Sequence, residues 1–447
     1  MRLGIDVGHA TSTAVLLDPA GRVLAEAVVD SVPRTDDCLR RALVALGPVP
    51  GPVGSVAVVT DLARRPPRPR PVAVLRLASE SHAALAPLAD WPLPAREALG
   101  GLTAVVTGGS AVTGSPLGPL DREAVRAFAT RARQAGVRVF ALCAAGAPAG
   151  PGPELEAAAI VTATIPGAAL SLSYEIGSAG LRERETATAV NAALGGWAEE
   201  LVTDCRAVLR SLRITAPVFF ARDDGGLVSG DYFLRHPVVG TAPASGCAAR
   251  GALTRTGVDR AVVVDAGARS VRCLVVRDGE PERSSRPVPG PFGVRLALGA
   301  PDVVESDGRE AARSVSRLLE RIPGAEVLYT GGRAEECGAP AEADGPRDGS
   351  PAPYGRAPRL TDAARYAAGA DCRVELEQVV SAAGRAELDQ SLSAVRDHAL
   401  SRCVAAGAAP GSVRIEGLAH APVAYLPAGV HRVTARAVGA PASGAAR

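Results

Sequence analysis

The 447-residue chain predicts an α/β protein made of two similar halves around a cleft, and three observations carry that reading. A strand–Asp-x-Gly–strand unit opens the sequence at Leu3-Gly-Ile-Asp-Val-Gly8. The unit returns at Ala261-Val-Val-Val-Asp265-Ala-Gly267, with Asp6 and Asp265 lying 259 positions apart. A later apolar run, Val327-Leu-Tyr-Thr, then ends in Gly331-Gly332. A repeat at so long a period marks two folded halves rather than a solenoid.

In chain order, Thr11–Leu17 supplies the second strand of the first unit, Asp18-Pro-Ala-Gly21 its turn, and Arg22–Val29 an alternating third strand. Residues 36–46 have the spacing of an amphipathic helix, Pro48–Pro52 breaks the chain, and Ser55–Thr60 is a buried strand. Arg64–Pro71 is a basic, proline-rich solvated loop or linker. Asp121–Ala135 predicts a helix, Val137–Ala141 a strand, Gly146–Pro153 a linker and Thr186–Leu212 one long helix. Pro217–Phe220 is a strand followed by the turn Asp223-Asp-Gly-Gly226. In the second unit Ser270–Val276 is the returning strand and Asp278-Gly279 its turn. Residues 335–358 form a charged Gly/Pro loop, 360–407 read as mainly helical, and strands return at Val413–Ile415 and Val430–Val438.

Composition narrows the chemistry. Hydrophobic residues at 47% and charged residues at 21% describe a folded chain, and a net charge of +2 gives no electrostatic case for nucleic acid or an anionic membrane. All 49 basic residues are arginine, and Asn191 is the sole asparagine. Together with the abundant Ala, Gly and Pro, this has the mark of GC-rich coding. A chain without lysine has no Walker A loop, no lysine Schiff base and no Ser-x-x-Lys dyad. Its eight cysteines (38, 143, 205, 247, 273, 337, 372 and 403) form no Cys-x-x-Cys pair, and its six histidines no zinc-type motif. With no secretory segment and no run of eighteen apolar residues, the expectation is a cytoplasmic protein with reduced thiols.

Two hairpins, each with an aspartate at the end of its first strand, are the parts of a nucleotide cleft. Glycine turns let backbone approach phosphate oxygens, and the aspartates would hold magnesium or orient a nucleophile. A single such hairpin is more simply a turn whose aspartate satisfies local amides. Two in register, followed by Gly331-Gly332, favour the cleft, with Asp6 and Asp265 as catalytic and metal-binding candidates.

Several blocks in order resemble the hydantoinase/oxoprolinase family. These are Leu3–Gly8 with Ala14–Asp18; Ala169–Ile176; Glu183–Ala192, where Asn191 falls on the family's Asn-Ala pair; Asp223-Asp-Gly-Gly-Leu-Val-Ser229; Asp265-Ala-Gly267; Gly279-Glu-Pro281; Gly293-Val-Arg295 through Pro301-Asp-Val303; and Tyr425-Leu-Pro427 with Arg432–Gly439. The resemblance implies the duplicated ribonuclease-H-like fold of actin and the sugar kinases, with an N-terminal domain over 1–178 and a core over 179–447. It also implies ATP and magnesium as cofactors, with Gly8, Ser12, Gly267, Ser270, Gly331 and Gly332 at the nucleotide. Asp223, Asp224 and Asn191 would lie near the substrate cleft. The family activity is ATP-dependent opening of a cyclic amide of the hydantoin or 5-oxoproline type, often with a second hydantoinase-type subunit.

Against the family pattern, Gly8 is followed by His9-Ala10 and Gly267 by Ala268-Arg269, where a Gly-Thr pair is usual; Gly331-Gly332 runs into Arg333-Ala334; and the Ser-Gly-Pro turn is changed to Pro243-Ala244-Ser245. A glycine-rich segment after Pro301-Asp-Val303 is replaced by Glu305–Arg309, and a His-Gly-Thr-Thr segment has no counterpart between Val59 and Arg65. Arg269 and Arg272 would be phosphate clamps or merely solvated strand residues. These changes set a second reading beside the first, a member that keeps the fold, has lost catalysis and serves as a partner or regulatory subunit. Small-molecule kinase activity is a weaker third.

Overall fold

The structure, a computed structural model, describes residues 1–62, 67–79, 85–177, 180–307, 310–338, 359–426 and 429–444. Its largest sheet has nine strands, in the spatial order Arg414–Pro422, Val430–Gly439, Cys372–Ser381, Leu227–Ser229, Val218–Ala221, Ser55–Thr60, Arg2–Val7, Thr11–Leu17 and Val23–Asp30. Strand side chains alternate between faces. Ala14 and Leu16 therefore join Leu3, Ile5, Cys38 and Leu39 in the core under helix Thr35–Leu46, while Val15 and Leu17 pack with Ala364 and Ala368 on the other face. Helix Asp362–Gly369 lies so close to that second face that a Cβ on Gly4 would stand 1.9 Å from the Ala364 carbonyl oxygen. Only glycine fits there.

The second unit is built alike. Ala261–Ala266 pairs antiparallel with Val271–Arg277, which also pairs with Val303–Ser306 and Glu280–Pro281, and it pairs parallel with Glu326–Thr330. One face packs Val263 and Leu274 on Ala252 and Leu253 of helix Ala244–Thr256; the other packs Val262, Val264 and Val275 on Leu318 of helix Ala311–Arg321. Helices Ala244–Thr256 and Asp362–Gly369 cross between the two units. A Cβ on Gly251 would lie 2.1 Å from the Asp362 carbonyl oxygen, so the crossing is a backbone-to-backbone approach. It is locked by Arg255, whose Nε and Nη2 each stand 3.0 Å from a carboxylate oxygen of Asp362, both side chains being fully buried.

A third, four-stranded parallel sheet runs in the order Thr103–Val106, Ala73–Leu77, Val139–Ala144, Ala169–Leu172, and Val288–Pro289 pairs with Arg295–Leu296 in a small ribbon. Among the described residues no helix is long and apolar enough to cross a membrane.

Three sequence expectations need correction. The long helix over 186–212 is two, Leu181–Ala193 and Gly195–Ser211, meeting at Leu194. The mainly helical stretch 360–407 contains the ten-residue strand Cys372–Ser381 between helices Asp362–Gly369 and Arg385–Ala405. Its period-two burial of Cys372, Val374 and Leu376 decides for strand. The linker over 146–153 gives way at Gly152 to a helix that continues to Thr164. Residues 64–66 of the proline-rich stretch, residues 339–358 of the charged loop, Gly308, Arg309, Pro427 and the expected domain boundary at 178/179 lie outside the described residues.

Candidate functional site

The two hairpins match residue for residue. Asp6 is the fifth residue of Arg2–Val7 and Asp265 the fifth of Ala261–Ala266. Asp6 lies opposite Thr13 and beside Val59; Asp265 lies opposite Arg272 and beside Thr330. Each turn is closed the same way, by a 3.1 Å hydrogen bond from Gly8 N–H to the Thr11 carbonyl and from Gly267 N–H to the Ser270 carbonyl. The expectation that these two glycines approach phosphate through their own amides is therefore changed, because both amides donate within their turns. Gly8 is still required, since a Cβ there would sit 2.7 Å from the Thr11 carbonyl oxygen.

Ser12 is fully buried behind the first turn, its hydroxyl 2.7 Å from that of Ser31, which in turn donates to the Gly8 carbonyl. It braces the turn instead of facing a ligand. Ser270 donates to Glu305. Gly331 has φ +88°, and a Cβ on it would stand 2.6 Å from the Ala266 carbonyl oxygen. This is the left-handed conformation that favours glycine. Arg333 N–H donates to the same Ala266 carbonyl, so the Gly331-Gly332 turn is folded onto the end of the second hairpin.

The two units meet at the N-terminal turn of helix Ala244–Thr256. Asp61 follows directly on strand Ser55–Thr60, and its Oδ1 accepts from Ala244 N–H at 3.2 Å. Ser245 donates its hydroxyl to Asp265 Oδ2 at 2.8 Å and accepts from Arg272 Nη1 at 3.1 Å. The same guanidinium lies 3.5 Å from Asp61 and 3.5 Å from Glu305. Burial raises the Asp265 carboxyl above the ordinary range, against the pull of Ser245 and Arg272. Burial works against the charge of Arg272, yet Asp61, Asp265 and Glu305 hold its pKa above the usual arginine value. Asp6 faces the same turn, for the Cys247 thiol is pushed well upward first by burial and next by the charge of Asp6.

For magnesium the donor set fits poorly at the second hairpin. Asp265 and Asp61 already surround a guanidinium, and among the described residues no three His, Cys, Asp or Glu side chains are grouped to hold a metal ion. Contacts of 3.5 Å leave most of the Arg272 donors without a short partner.

Beside this junction opens a cavity of about 510 Å³ whose wall includes Arg222, Asp223, Asp224, Arg283, Arg402 and Arg432. Asp223 accepts from Ala242 N–H at 2.8 Å and from the Thr241 hydroxyl at 3.0 Å. Its backbone carbonyl lies so near Gly246 that a Cβ there would come within 2.7 Å. Asp223 thus touches both cavity and junction. Burial pushes its carboxyl up to about 7, despite the two donors and with the Asp61 and Asp224 charges adding to the rise. Asp224 differs. Burial alone would raise it, but the guanidinium of Arg222 at 3.1 Å, with Arg373 and Arg283 behind, holds it well below the usual carboxylate range. Adjacent carboxyls whose surroundings push their pKa values in opposite directions are the pattern of an acid/base pair.

Residues 184–302 match the model of the Hydantoinase/oxoprolinase family. In overall structure the chain is similar to an ATP-dependent caprolactamase from Pseudomonas jessenii, with 15% identity, a TM-score of 0.68, and coverage of 98% of this chain and 87% of that one. It is similar as well to a nucleotide-free acetone carboxylase, with 11% identity, a TM-score of 0.66, and coverage of 98% and 88%. No curated protein matches. The part of the chain that carries the family's sequence pattern is residues 184–302, which include the second hairpin. The chain has the duplicated ribonuclease-H-like fold of two lobes around a cleft.

Asn191 is a brace. Its amide nitrogen donates to the Ser171 hydroxyl at 3.0 Å and the Arg235 carbonyl at 2.8 Å, and its oxygen accepts from Val238 N–H at 3.2 Å. All its groups are engaged inside the protein, so it shapes the wall behind the cavity instead of meeting substrate. Asp61, Ser245 and Arg402 were missed by sequence reasoning. Asp61 had a signal, an acid at the carboxyl end of a fully buried parallel strand, where open α/β sheets carry their ligand sites. Arg402 had none, lying within helix Arg385–Ala405. It reaches the cavity with a 3.4 Å contact to the Tyr232 hydroxyl.

Proposed function

We propose that this hydantoinase-family chain uses ATP, bound between the two hairpins, to activate a small cyclic amide held in the adjacent cavity. The observation that carries the reading is the convergence of Asp61, Ser245, Asp265 and Arg272 on one helix N-terminus, with Asp223 lying between that point and the cavity. Arg272 and the turns at Gly8, Gly267 and Gly331 would hold the phosphates. When bound, ATP supplies a phosphoryl group able to make a lactam carbonyl a better electrophile. The chain's own part is to bind, orient and move protons. Asp223, whose proton is held near neutrality, would serve as general acid or base, while ionised Asp224 and its arginines fix the cavity field.

The relatives' names support the ATP-dependent part, one being an ATP-dependent caprolactamase. A second reading, a family member that has lost catalysis and acts as the partner of another subunit, is favoured by one observation: the Gly8 and Gly267 amides close their own turns. Isothermal titration with ATP, followed by phosphate release with a panel of lactams, hydantoins and 5-oxoproline, separates the two. Binding with ring-dependent phosphate release, weakened about tenfold or more in Asp223→Asn, is expected. Absence of ATP binding would leave the second reading standing.

A further inference from the structure

We propose that His420 and His431 chelate a divalent transition-metal ion of the zinc, nickel and copper class, which staples the edge strand of the nine-stranded sheet to its neighbour. Strand Arg414–Pro422 is that edge, and most of its residues are exposed. It pairs with Val430–Gly439, and the register slips between Ile415 and Gly417. Pairing brings together two histidines that lie 11 positions apart in sequence. His420 is opposite Val433 and His431 is opposite Pro422. Both side chains therefore project from the face on which Val433 and Ala435 share a core with Val395 and Ala399 of helix Arg385–Ala405. On the next strand Gln378 also lies opposite Val433, and its amide nitrogen stands 3.3 Å from His398 Nδ1. Three of the chain's six histidines thus gather on one face.

The pair has the geometry of a chelate. Its two Nδ1 atoms stand 3.4 Å apart, with ring centroids 5.3 Å apart and ring planes tilted by 59°. As a hydrogen bond the contact is long, since N–H donors prefer about 2.7–3.2 Å and a straight approach. Rings meeting end to end across 3.4 Å would hold their centroids farther apart than 5.3 Å, so the nitrogens are turned off the line that joins them. Two imidazole nitrogens on one tetrahedral zinc at about 2.0–2.1 Å stand about 3.3–3.4 Å from each other. The pair holds that spacing by strand register alone. Imidazole suits zinc, copper and nickel, whereas magnesium and calcium take oxygen ligands. The contact is exposed, so water can complete the coordination shell. An ion here ties the edge strand at the end away from its register slip. The strand it is tied to carries Arg432, next after His431 and so on the opposite face, into the wall of the cavity of about 510 Å³.

The test uses the full chain, free of any polyhistidine tag, with Zn2+ as the probe. Isothermal titration should show one Zn2+ site per chain for which excess Mg2+ does not compete. His420→Ala and His431→Ala should each weaken that site by about tenfold or more, because the second imidazole of a chelate binds intramolecularly and a lone one cannot. His398→Ala, which removes the neighbouring ring, should leave it unchanged. In nitrogen-detected magnetic resonance, Zn2+ should shift the Nδ1 signals of His420 and His431 together. Zn2+ should also raise the melting temperature of wild type and of neither alanine variant, since an ion that binds the folded pair stabilises the fold. Metal-free melts establish that each variant is folded, and His420→Gln and His431→Gln repeat the titration should an alanine variant melt early. A Zn2+ site that survives both substitutions overturns the proposal. So does a wild type without saturable Zn2+ binding, or one whose melting temperature Zn2+ does not raise.

Discussion

Asp223 offers a test in which one proton is followed through the native state. Its carboxyl is buried, and burial lifts it from 3.8 to about 7 although Ala242 N–H and the Thr241 hydroxyl both donate to it. A carboxyl whose folded value exceeds its unfolded one adds stability that is complete below the unfolded value and disappears as pH rises through the folded one. The window is therefore pH 3.8 to about 7. At about 1.36 kcal/mol per unit, the difference amounts to at most about 4 kcal/mol. Asp223→Asn carries a neutral group of the same shape and lacks this slope. Urea unfolding of both proteins between pH 4.5 and 8.5, read as the wild-type minus variant difference, should fall steadily up to about pH 7 and then level. At pH 8 the variant should be the more stable of the two relative to their order at pH 4.5. The wild-type minus variant infrared difference should show one protonated-carboxyl band that persists to near neutrality. A flat difference across the range, with no such band above pH 5, would refute the reasoning, and with it the case for Asp223 as an acid/base group.

Three further outcomes follow from the packing. Arg255→Met should destabilise the chain by about 3–5 kcal/mol in denaturant unfolding, because Asp362 is left charged and fully buried, whereas adding Asp362→Leu should recover most of that loss. Gly4→Ala should lower stability by about 1–3 kcal/mol or prevent accumulation of folded protein, since its Cβ would meet the Ala364 carbonyl oxygen at 1.9 Å; an unchanged melting temperature would contradict the close approach of that helix. Thiol titration should find eight free cysteines after denaturation and at most Cys337 reacting quickly in the native protein, as the other seven are buried.

What could be read from the sequence was whatever depends on short-range pattern. Four apolar residues before Asp-x-Gly specify a buried strand and its turn, and the second copy needed no long-range information to be seen. Strand Ala73–Leu77 escaped because Arg76 interrupts its apolar run. That arginine is tolerated in the core only because Glu185, 109 residues later, meets it at 2.7 and 2.8 Å. Nothing local announces such a partner. Strand Cys372–Ser381 could have been recognised, since its alternation of apolar and acidic residues through Leu376 and Glu377 has period two, but it sits between two helical stretches that dominated the window. For Arg272 the sequence offered a phosphate clamp or a solvated side chain. The side chains that decide its role, Asp61 and Ser245, come from two other elements.

The site itself lies where the duplication is broken. By register, Val59 and Thr330 are equivalent, so Asp61 and Gly332 occupy corresponding places, each two residues beyond that position. Thr13 and Arg272 correspond in the same way across the hairpin. The first half has gained an acid where the second has glycine, and the second half has an arginine where the first has threonine. These two asymmetries are complementary, and they meet at 3.5 Å across the junction. A repeat that had only lost its phosphate residues would have no reason to place its two exceptions against each other. Exchanging them tests the point: Asp61→Arg/Arg272→Asp should hold the halves together better than either single substitution, because each single change sets like charges face to face. A double variant no better than the worse single would show that the contact is incidental to the way the two halves close.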